Sequence, residues 1–445
     1  MTFSTRVELF KWHLLDSLRH SRALRSLNAL RLYLIARCSR SIRAAELYVR
    51  ALAFSESSVL DGVLIRRVVR NGELLHDEAT WAAVVSNLPR YRQLIREQTQ
   101  LTRSIVLKEP GLNGEKGVLL MYFEYNWVRL ALGLSGQDMK WFDENFDLIL
   151  STSWSPTDYA ALALILAKTK SPVFVQACNY GEADKLRQFH PRIVVLDSLP
   201  CDWIDPQFYP SSMDSSRPID LLMVANWGEF KRHCDFFEAL RVMSPSLRVV
   251  LVGQAEGGRD ADFIRSMAAR IGVPQTLEIY QSIPIEEVSK LQAQAKVSII
   301  FTRREGCCVA SVESLFAGCA LGMRSDAHVG PLHYINEQTG LKLRPGHLSA
   351  DLEKLINVSG SLKPHEWAAS NISCKQTIKK TNTLLQESAL TRGLPWTEDL
   401  AEPHWRPYPT FANPADRIRF ASIYEELHRR FPSVFGMNLM TDSRR

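Results

Sequence analysis

The stretch Arg304–Gly318, REGCCVASVESLFAG, decides the fold of this chain. It follows Lys296–Phe301 (KVSIIF), a β-branched and apolar run suited to a strand buried on both faces of a parallel sheet. Arg303–Cys307 break the run with charge and a glycine. From Val309 the apolar positions Val309, Val312, Leu315, Phe316 and Cys319 recur at helical spacing, so a helix begins at the turn and ends near Gly318. Glu305 then lies in the turn and Glu313 about one turn inside the helix. Between them Cys307–Ala310 offer the unpaired backbone N–H groups of a helix start, which attract phosphate through free donors and the positive dipole end. Carboxylates on either side are poor phosphate ligands but good acceptors for sugar hydroxyls, so the layout reads as sugar, phosphate, ribose. Two glutamates eight positions apart also arise by chance, and the rest of the chain has to supply the weight.

At 445 residues the chain is too long for one core and predicts two or three domains at ~100–200 residues each. Its 46% hydrophobic and 23% charged residues are ordinary for a water-soluble globular protein. No run of ~18 uncharged apolar residues predicts a membrane-crossing helix. The start, MTFSTRVELFKWHLLDSLRH, is too charged for a secretory signal core. The eight cysteines form no CxxC pair, which fits a reducing, cytoplasmic setting. Charge is concentrated at one end: residues 1–50 carry ten Arg or Lys against Glu8, Asp16 and Glu46, a net +7 in a chain that is +6 overall. Leucines alternate with those arginines at helical spacing. A basic amphipathic helix pair of this kind can lie peripherally on an anionic membrane surface, and a helix packed on its own domain with solvated arginines reads the same way. Nucleic acid is not expected as a partner, because no aromatic stacking array accompanies the charge.

Residues 1–103 read as helical. From Val118 strand-like runs alternate with helices: VLLMYF (118–123), DLILST (147–152), PVFVQA (172–177) and RIVVLD (192–197), the βαβ pattern of a doubly wound sheet. Proline and small polar residues then cluster at Asp205–Pro218, the clearest linker. A second βα series follows, with runs at 219–225, 247–253, 277–281, 296–301 and 320–323. The expected organisation is a helical region (1–103), a first Rossmann-like domain (104–205), a second (206–395), and a connector with a final helix (396–445) that can return to the first domain. The fold class is α/β, with the two doubly wound domains facing each other across a cleft.

In such sheets ligands sit beyond the carboxyl ends of the strands, so loops after strands are the candidate sites. Three loops of the second domain should converge. The first holds Asn226, Trp227, Gly228, Glu229, Phe230, Lys231 and Arg232; the second holds Gly253, where glycine permits close backbone approach; the third is the Glu305–Glu313 turn. Lysine would balance a diphosphate as a point charge, and arginine would add a planar fork. Asp260-Ala261-Asp262 resembles a metal-holding pair of acids, but it opens a helix, where acids cap and complement the dipole. The histidines show no zinc-ligand spacing, so no metal site is expected.

With these residues in place, Ile219–Ile356 resembles the nucleotide-binding domain of the GT-B glycosyltransferases, specifically the family 4 or "group 1" retaining enzymes. The resemblance lies in VANWGEFKRH, LVGQAEGGRDADFIRSMAARIGV, SIPIEEVSKLQAQAKVSIIFTRREGCCVASVESLFAGCALG and TGLKL. It implies a hexosyltransferase that uses a nucleotide diphosphate sugar as donor substrate, needs no other cofactor, and acts on a glycan, lipid-linked or polysaccharide-precursor acceptor. It places Glu305 beside the donor sugar, Glu313 at the ribose, Lys231 at the phosphates, the amides of Gly306, Cys307, Cys308 and Val309 around the diphosphate, and Ile279–Ser282 at the base. The family's usual arginine five residues before the lysine is Asn226 here, leaving Arg232, Arg303 or Arg304 as substitutes.

The first domain departs further. No glycine pair follows VLLMYF, and Cys178-Asn179-Tyr180 stands where a histidine is usual. The acceptor-side candidates are Glu124, Trp154, Asn179 and Tyr180, all just after strands. A retaining front-face mechanism lets the departing phosphate take the acceptor's proton, with fixed positive groups stabilising it. Two alternatives stand beside this reading: a sugar-nucleotide epimerase or hydrolase of the same fold, and a non-catalytic sugar-nucleotide sensor.

Overall fold

A computed structural model describes residues 3–70, 77–96, 104–210, 217–404 and 410–436. Residues 211–216 of the predicted linker, the last part of the helical region (97–103) and residues 405–409 of the connector lie outside the described residues. The chain divides into two compact units. One comprises the described residues up to Arg19 together with Cys201–Gln376; the other comprises His20–Pro200 and the described residues from Thr377 onward. Among the described helices none is long and apolar enough to cross a membrane.

The second of these units carries a five-stranded sheet in the order β1 (Ser104–Lys108), β2 (Gly117–Tyr122), β3 (Phe146–Ser151), β4 (Val173–Gln176), β5 (Ile193–Val195). β1 is antiparallel to β2 and the others are parallel. β2 and β3 are buried at every position, β2 through a mostly apolar run and β3 with Asp147 and Ser151 buried among its apolar residues. The crossovers are Glu124–Gly133 with Gly136–Asn145, then Tyr159–Lys168 and Tyr180–Phe189. The helices Arg22–Arg37, Ser41–Phe54, Ser58–Ile65 and Glu78–Asn87 belong to this unit. So does the chain after Thr377: Arg392 forks onto buried Asp147 of β3 at 2.5 and 3.0 Å, and the Tyr424 hydroxyl accepts from the Val106 N–H of β1 at 3.1 Å.

The other unit is built on a six-stranded, wholly parallel sheet: β6 (Ile219–Val224), β7 (Val249–Gly253), β8 (Leu277–Gln281), β9 (Ala295–Ile300), β10 (Ala320–Arg324) and β11 (Gly340–Leu343). Their order across the sheet is β11-β10-β9-β6-β7-β8. From β6 the chain winds outward to β8, crosses back, and winds outward again from β9. This is the strand order of a Rossmann sheet, and the reversal between β6 and β9 opens a crevice at their carboxyl ends. One face of the sheet, with Leu221, Met223, Val249, Leu251, Val297 and Ile299, packs under the helices His233–Leu240, Ala261–Ile271 and Leu348–Val358. The other, with Leu222, Val250 and Val252, packs on Val288 of the helix Ile285–Gln294.

The helix Phe3–His20 joins this unit rather than the other helices of the amino-terminal region. Leu9 enters the core beside Trp12. Around it the helix is held by ions: Glu8 to Arg270 at 2.7 Å, His13 to Glu238 at 2.6 Å, and Asp16 to both Arg232 and Arg303 at 2.7 Å. The His13 hydrogen bond to Glu238 raises the imidazole above its ordinary 6.5; burial and Arg232 oppose this, and Asp235 adds to it. A raised folded value means that this stabilisation is complete below pH 6.5 and fades as pH climbs through the folded value. His13→Gln should therefore lower the melting temperature relative to the parent below pH 6.5, with the difference closing as pH rises through the folded value. Melting curves of the two proteins across that range test it, and a pH-independent gap would refute it.

Candidate functional site

The site forms where the sheet order reverses. β6 ends at Val224 and is followed by the turn Asn226–Arg232; β9 ends at Ile300 and is followed by Phe301–Cys308. Because β6 and β9 are hydrogen-bonded neighbours, these two loops leave the sheet side by side. Asn226 starts the first turn by accepting the Gly228 N–H on its side-chain oxygen at 3.2 Å. Trp227 is fully buried and donates its indole N–H to Gln281 Oε1 at 2.9 Å, fastening the turn to the end of β8. A short 3₁₀ turn over Glu229–Lys231 then delivers Lys231.

Lys231 Nζ donates to Glu305 Oε1 in a close, largely buried ion pair. Burial works against the lysine's charge, but Glu305 and then Cys308 outweigh it and hold the ammonium above its ordinary range. The second carboxylate oxygen, Glu305 Oε2, is buried with no hydrogen-bond partner among the described residues. Cys308 follows with φ = 43°, a left-handed conformation, and opens the helix Val309–Phe316 with no side chain capping its amino end. Gly306, Cys307 and Cys308 are all buried. The Cys308 thiol is pushed up to about 12 by burial and then by Glu305, so it stays protonated beside the lysine. A cation, an acid with an open oxygen and an uncapped helix start thus share one place. The sequence-predicted residues Asn226, Gly228, Lys231, Glu305, Gly306, Cys307 and Cys308 lie on these two loops, and Val309 is the first residue of the helix that follows.

Glu313 lies one turn further along the helix and is buried. Its Oε1 accepts from the hydroxyl of Tyr209 at 2.9 Å, and that tyrosine is itself buried. Sequence reasoning missed Tyr209, which sits in a Pro- and Ser-rich segment that reads as linker and carries no signal for a buried role.

Three residues are placed otherwise than expected. Arg232 does not accompany Lys231: with φ = 57° it turns away, clasping Asp235 at 2.6 and 2.7 Å and Asp16 at 2.7 Å in a group that also includes Arg324. Arg303 joins the same group through Asp16 and Asp326. Neither is a substitute for the arginine absent at 226, since carboxylates already hold their guanidinium groups. Gly253 does not leave room for a ligand; the place its Cβ would take is filled by the Ala225 carbonyl at 2.3 Å and the Trp227 ring at 2.8 Å. Its carbonyl accepts from the N–H of Ser282, an exposed residue in left-handed conformation (φ = 55°) beyond β8.

His233 is buried against Trp227, with ring centroids 5.4 Å apart. Burial, helped by Lys231 and Arg259, pushes it down to about 3, so it is neutral at ordinary pH. Asp260 caps the helix Ala261–Ile271 by accepting the Phe263 N–H at 2.9 Å.

In the unit holding β1–β5, Glu124 is fully buried and its carboxylate accepts from Ser153 N–H and Trp154 N–H at 3.0 and 3.2 Å and from the Ser153 hydroxyl at 2.5 Å. Burial raises it to about 7 and the Ser153 bonds pull it back. It fastens the loop after β3 instead of facing a ligand. Asn179 caps the helix Tyr180–Phe189 by accepting the Glu182 N–H at 3.0 Å. Tyr180 opens that helix, partly buried, and Trp154 is the acceptor-side candidate that stands exposed. The position after β2, where no glycine occurs, still takes a positive φ of 64° at Phe123.

No protein-family model matches the chain, and no curated protein is significantly similar to it. Solved structures similar to it include sucrose-phosphate synthase from Thermosynechococcus elongatus (13% identity, 62% of this chain and 74% of that one, TM-score 0.48). Another is Anabaena HepE in complex with UDP-glucose (15%, 60% and 78%, TM-score 0.45). A third is the pneumococcal O-GlcNAc transferase GtfA in complex with UDP and GlcNAc (14%, 57% and 55%, TM-score 0.44), so the chain spans about half the length of that protein.

The packing at Gly253 is testable. Gly253→Ala drives a methyl into the Ala225 carbonyl and the Trp227 indole, and overpacking of this kind costs about 1–3 kcal/mol. Urea unfolding should show that loss. An unchanged midpoint would mean that the turn between β6 and Lys231 is looser than its contacts indicate.

Proposed function

We propose that this chain is a glycosyltransferase whose β6–β11 unit binds a nucleotide diphosphate sugar at the β6/β9 reversal. The observation that carries the reading is the Lys231–Glu305 pair with its open oxygen beside an uncapped helix start. In this reading Lys231 and the amides of Gly306–Val309 bind the diphosphate, the site for which a cation and a helix amino end are suited. Glu305 Oε2 accepts a hydroxyl of the donor sugar. Glu313 takes a ribose hydroxyl, for which the Tyr209 hydroxyl is a stand-in, since both present an O–H to Oε1.

As the sugar–phosphate bond breaks, charge develops on the diphosphate, and Lys231 with the helix start stabilises it. The same phosphate receives the acceptor's proton, so transfer proceeds with retention and without a metal. The acceptor is a glycan or lipid-linked precursor of a polysaccharide. A second reading is supported by Glu124 and Asn179, whose polar atoms are engaged within their own loops: a sugar-nucleotide sensor that binds the donor and transfers nothing.

Calorimetric titration with UDP- and GDP-sugars, followed by donor-hydrolysis assays, separates these. Loss of a charge-assisted bond is worth about 1.5–3 kcal/mol, or about 10- to 100-fold in affinity. Glu313→Gln and Lys231→Ala should each weaken donor binding by that factor, while Glu305→Gln lowers turnover more than affinity. Because Lys231→Ala leaves Glu305 buried and unpaired, Lys231→Ala/Glu305→Gln controls for folding. If Glu313→Gln and the double variant bind every donor as tightly as the parent, the assignment is wrong. Tight binding with no turnover in any acceptor mixture selects the sensor.

A further inference from the structure

The helix Phe3–His20 is docked on one side and bare on the other. The docked side uses Leu9, His13 and both of the helix's acids, Glu8 and Asp16, each paired with a cation of the β6–β11 unit. The bare side carries Phe3, Val7, Phe10, Leu14 and Leu18, whose spacings of four, three, four and four residues form one stripe along the helix. These side chains are exposed, Phe3 by 83% and Phe10 by 67%, and Val7, Leu14 and Leu18 by about half. The cations on exposed positions of the same helix are Arg6, Lys11 and Arg19. The outward face is therefore apolar and positive, with its acids all turned inward and neutralised.

We infer that this face is a docking surface for an anionic lipid bilayer. An apolar stripe flanked by Lys and Arg lies in the interfacial plane, with its hydrophobic side chains among the upper acyl chains and its cations at the headgroups. From Phe3 to Leu18 the stripe runs about 22 Å, too short and too charged to cross, but long enough to lie flat. A second copy of the chain fits the face poorly, because a two-fold contact would gather Arg6 and Lys11 of both copies around one apolar seam without an acid between them. An anionic surface supplies the missing charge. The ion pairs on the docked side fix the orientation of the stripe, so it is held outward before any membrane is met.

A separate observation points the same way. The helix Arg22–Arg37, in the other unit, contains no acid, buries Ala29, Leu32 and Ala36, and leaves Leu24, Leu27, Leu34 and Ile35 exposed beside Arg22 and Arg31. The inference does not rest on the donor-site reading, and its test uses none of the residues of that site.

The test is co-sedimentation of the full chain with phosphatidylcholine vesicles, with and without about one-third phosphatidylglycerol. Binding should be at least about tenfold tighter to the anionic vesicles and should weaken as salt is raised. Phe10→Ser/Leu14→Ser/Leu18→Ser should reduce that binding at least about tenfold. Its melting temperature should hold, since the three side chains are exposed. Arg6→Glu/Lys11→Glu, which leaves the apolar stripe intact, should abolish the preference for anionic lipid.

Equal binding to neutral and anionic vesicles overturns the inference. So does a triple serine variant that binds anionic vesicles like the parent. It also fails if sedimentation equilibrium shows the parent to be a dimer that the triple variant converts to a monomer, since the face would then belong to a second copy.

Discussion

Everything at the candidate site depends on the hydrogen-bonded pairing of β6 with β9. These strands are separated in sequence by two complete βα units, yet they lie next to each other because the chain reverses its winding between them. That adjacency sets two loops in contact without either having to be long. Lys231 comes from one and Glu305 from the other, and each makes burial of its partner tolerable: an isolated buried charge is costly, whereas a paired one is held by the low dielectric that surrounds it. The Trp227–Gln281 bond and the packing at Gly253 hold the first of these loops against the ends of β7 and β8.

Much of this was legible in the sequence. The inner parallel strands are rich in apolar residues, and the turn after β9 announces itself by a charge break before a helical period. The edge elements were less legible. β1 is five residues long and follows a helical region without a break in composition, so it passes for a connection. β11 is four residues, partly exposed, and starts at a glycine. The final helix, read as one element, is divided at Phe420, which is fully buried between Pro414–Arg419 and Ala421–Arg430. In each case periodicity is a property of long segments, and these segments are short.

The residues of the site divide in the same way. Those set by local chain geometry, Lys231, Glu305 and the turn from Gly306 to Val309, were expected just after strands, and they lie there. Those fixed by partners distant in sequence were not. Tyr209 reaches Glu313 across 104 positions, and Arg232 is claimed by Asp16 from the first helix; neither relation leaves a mark on the intervening sequence. Glu124 and Asn179 show the converse. A polar residue just after a strand is as well suited to tie its own loop as to meet a ligand, and only the count of donors around it distinguishes the two.

The left-handed backbone at Arg232 has a further bearing. It sends two consecutive cations in different directions, Lys231 toward Glu305 and Arg232 toward Asp235 and Asp16. The two positions are therefore distinguished by phase and not by chemistry, since both are long, basic and buried. A one-residue deletion ahead of Lys231 would bring Arg232 to the glutamate and His233 to the paired aspartates, and a one-residue insertion there would bring Phe230 to the glutamate and Lys231 to the aspartates. The length of this loop is consequently as strict a requirement as its composition, and homologues able to keep both groups of ions must keep that length unchanged.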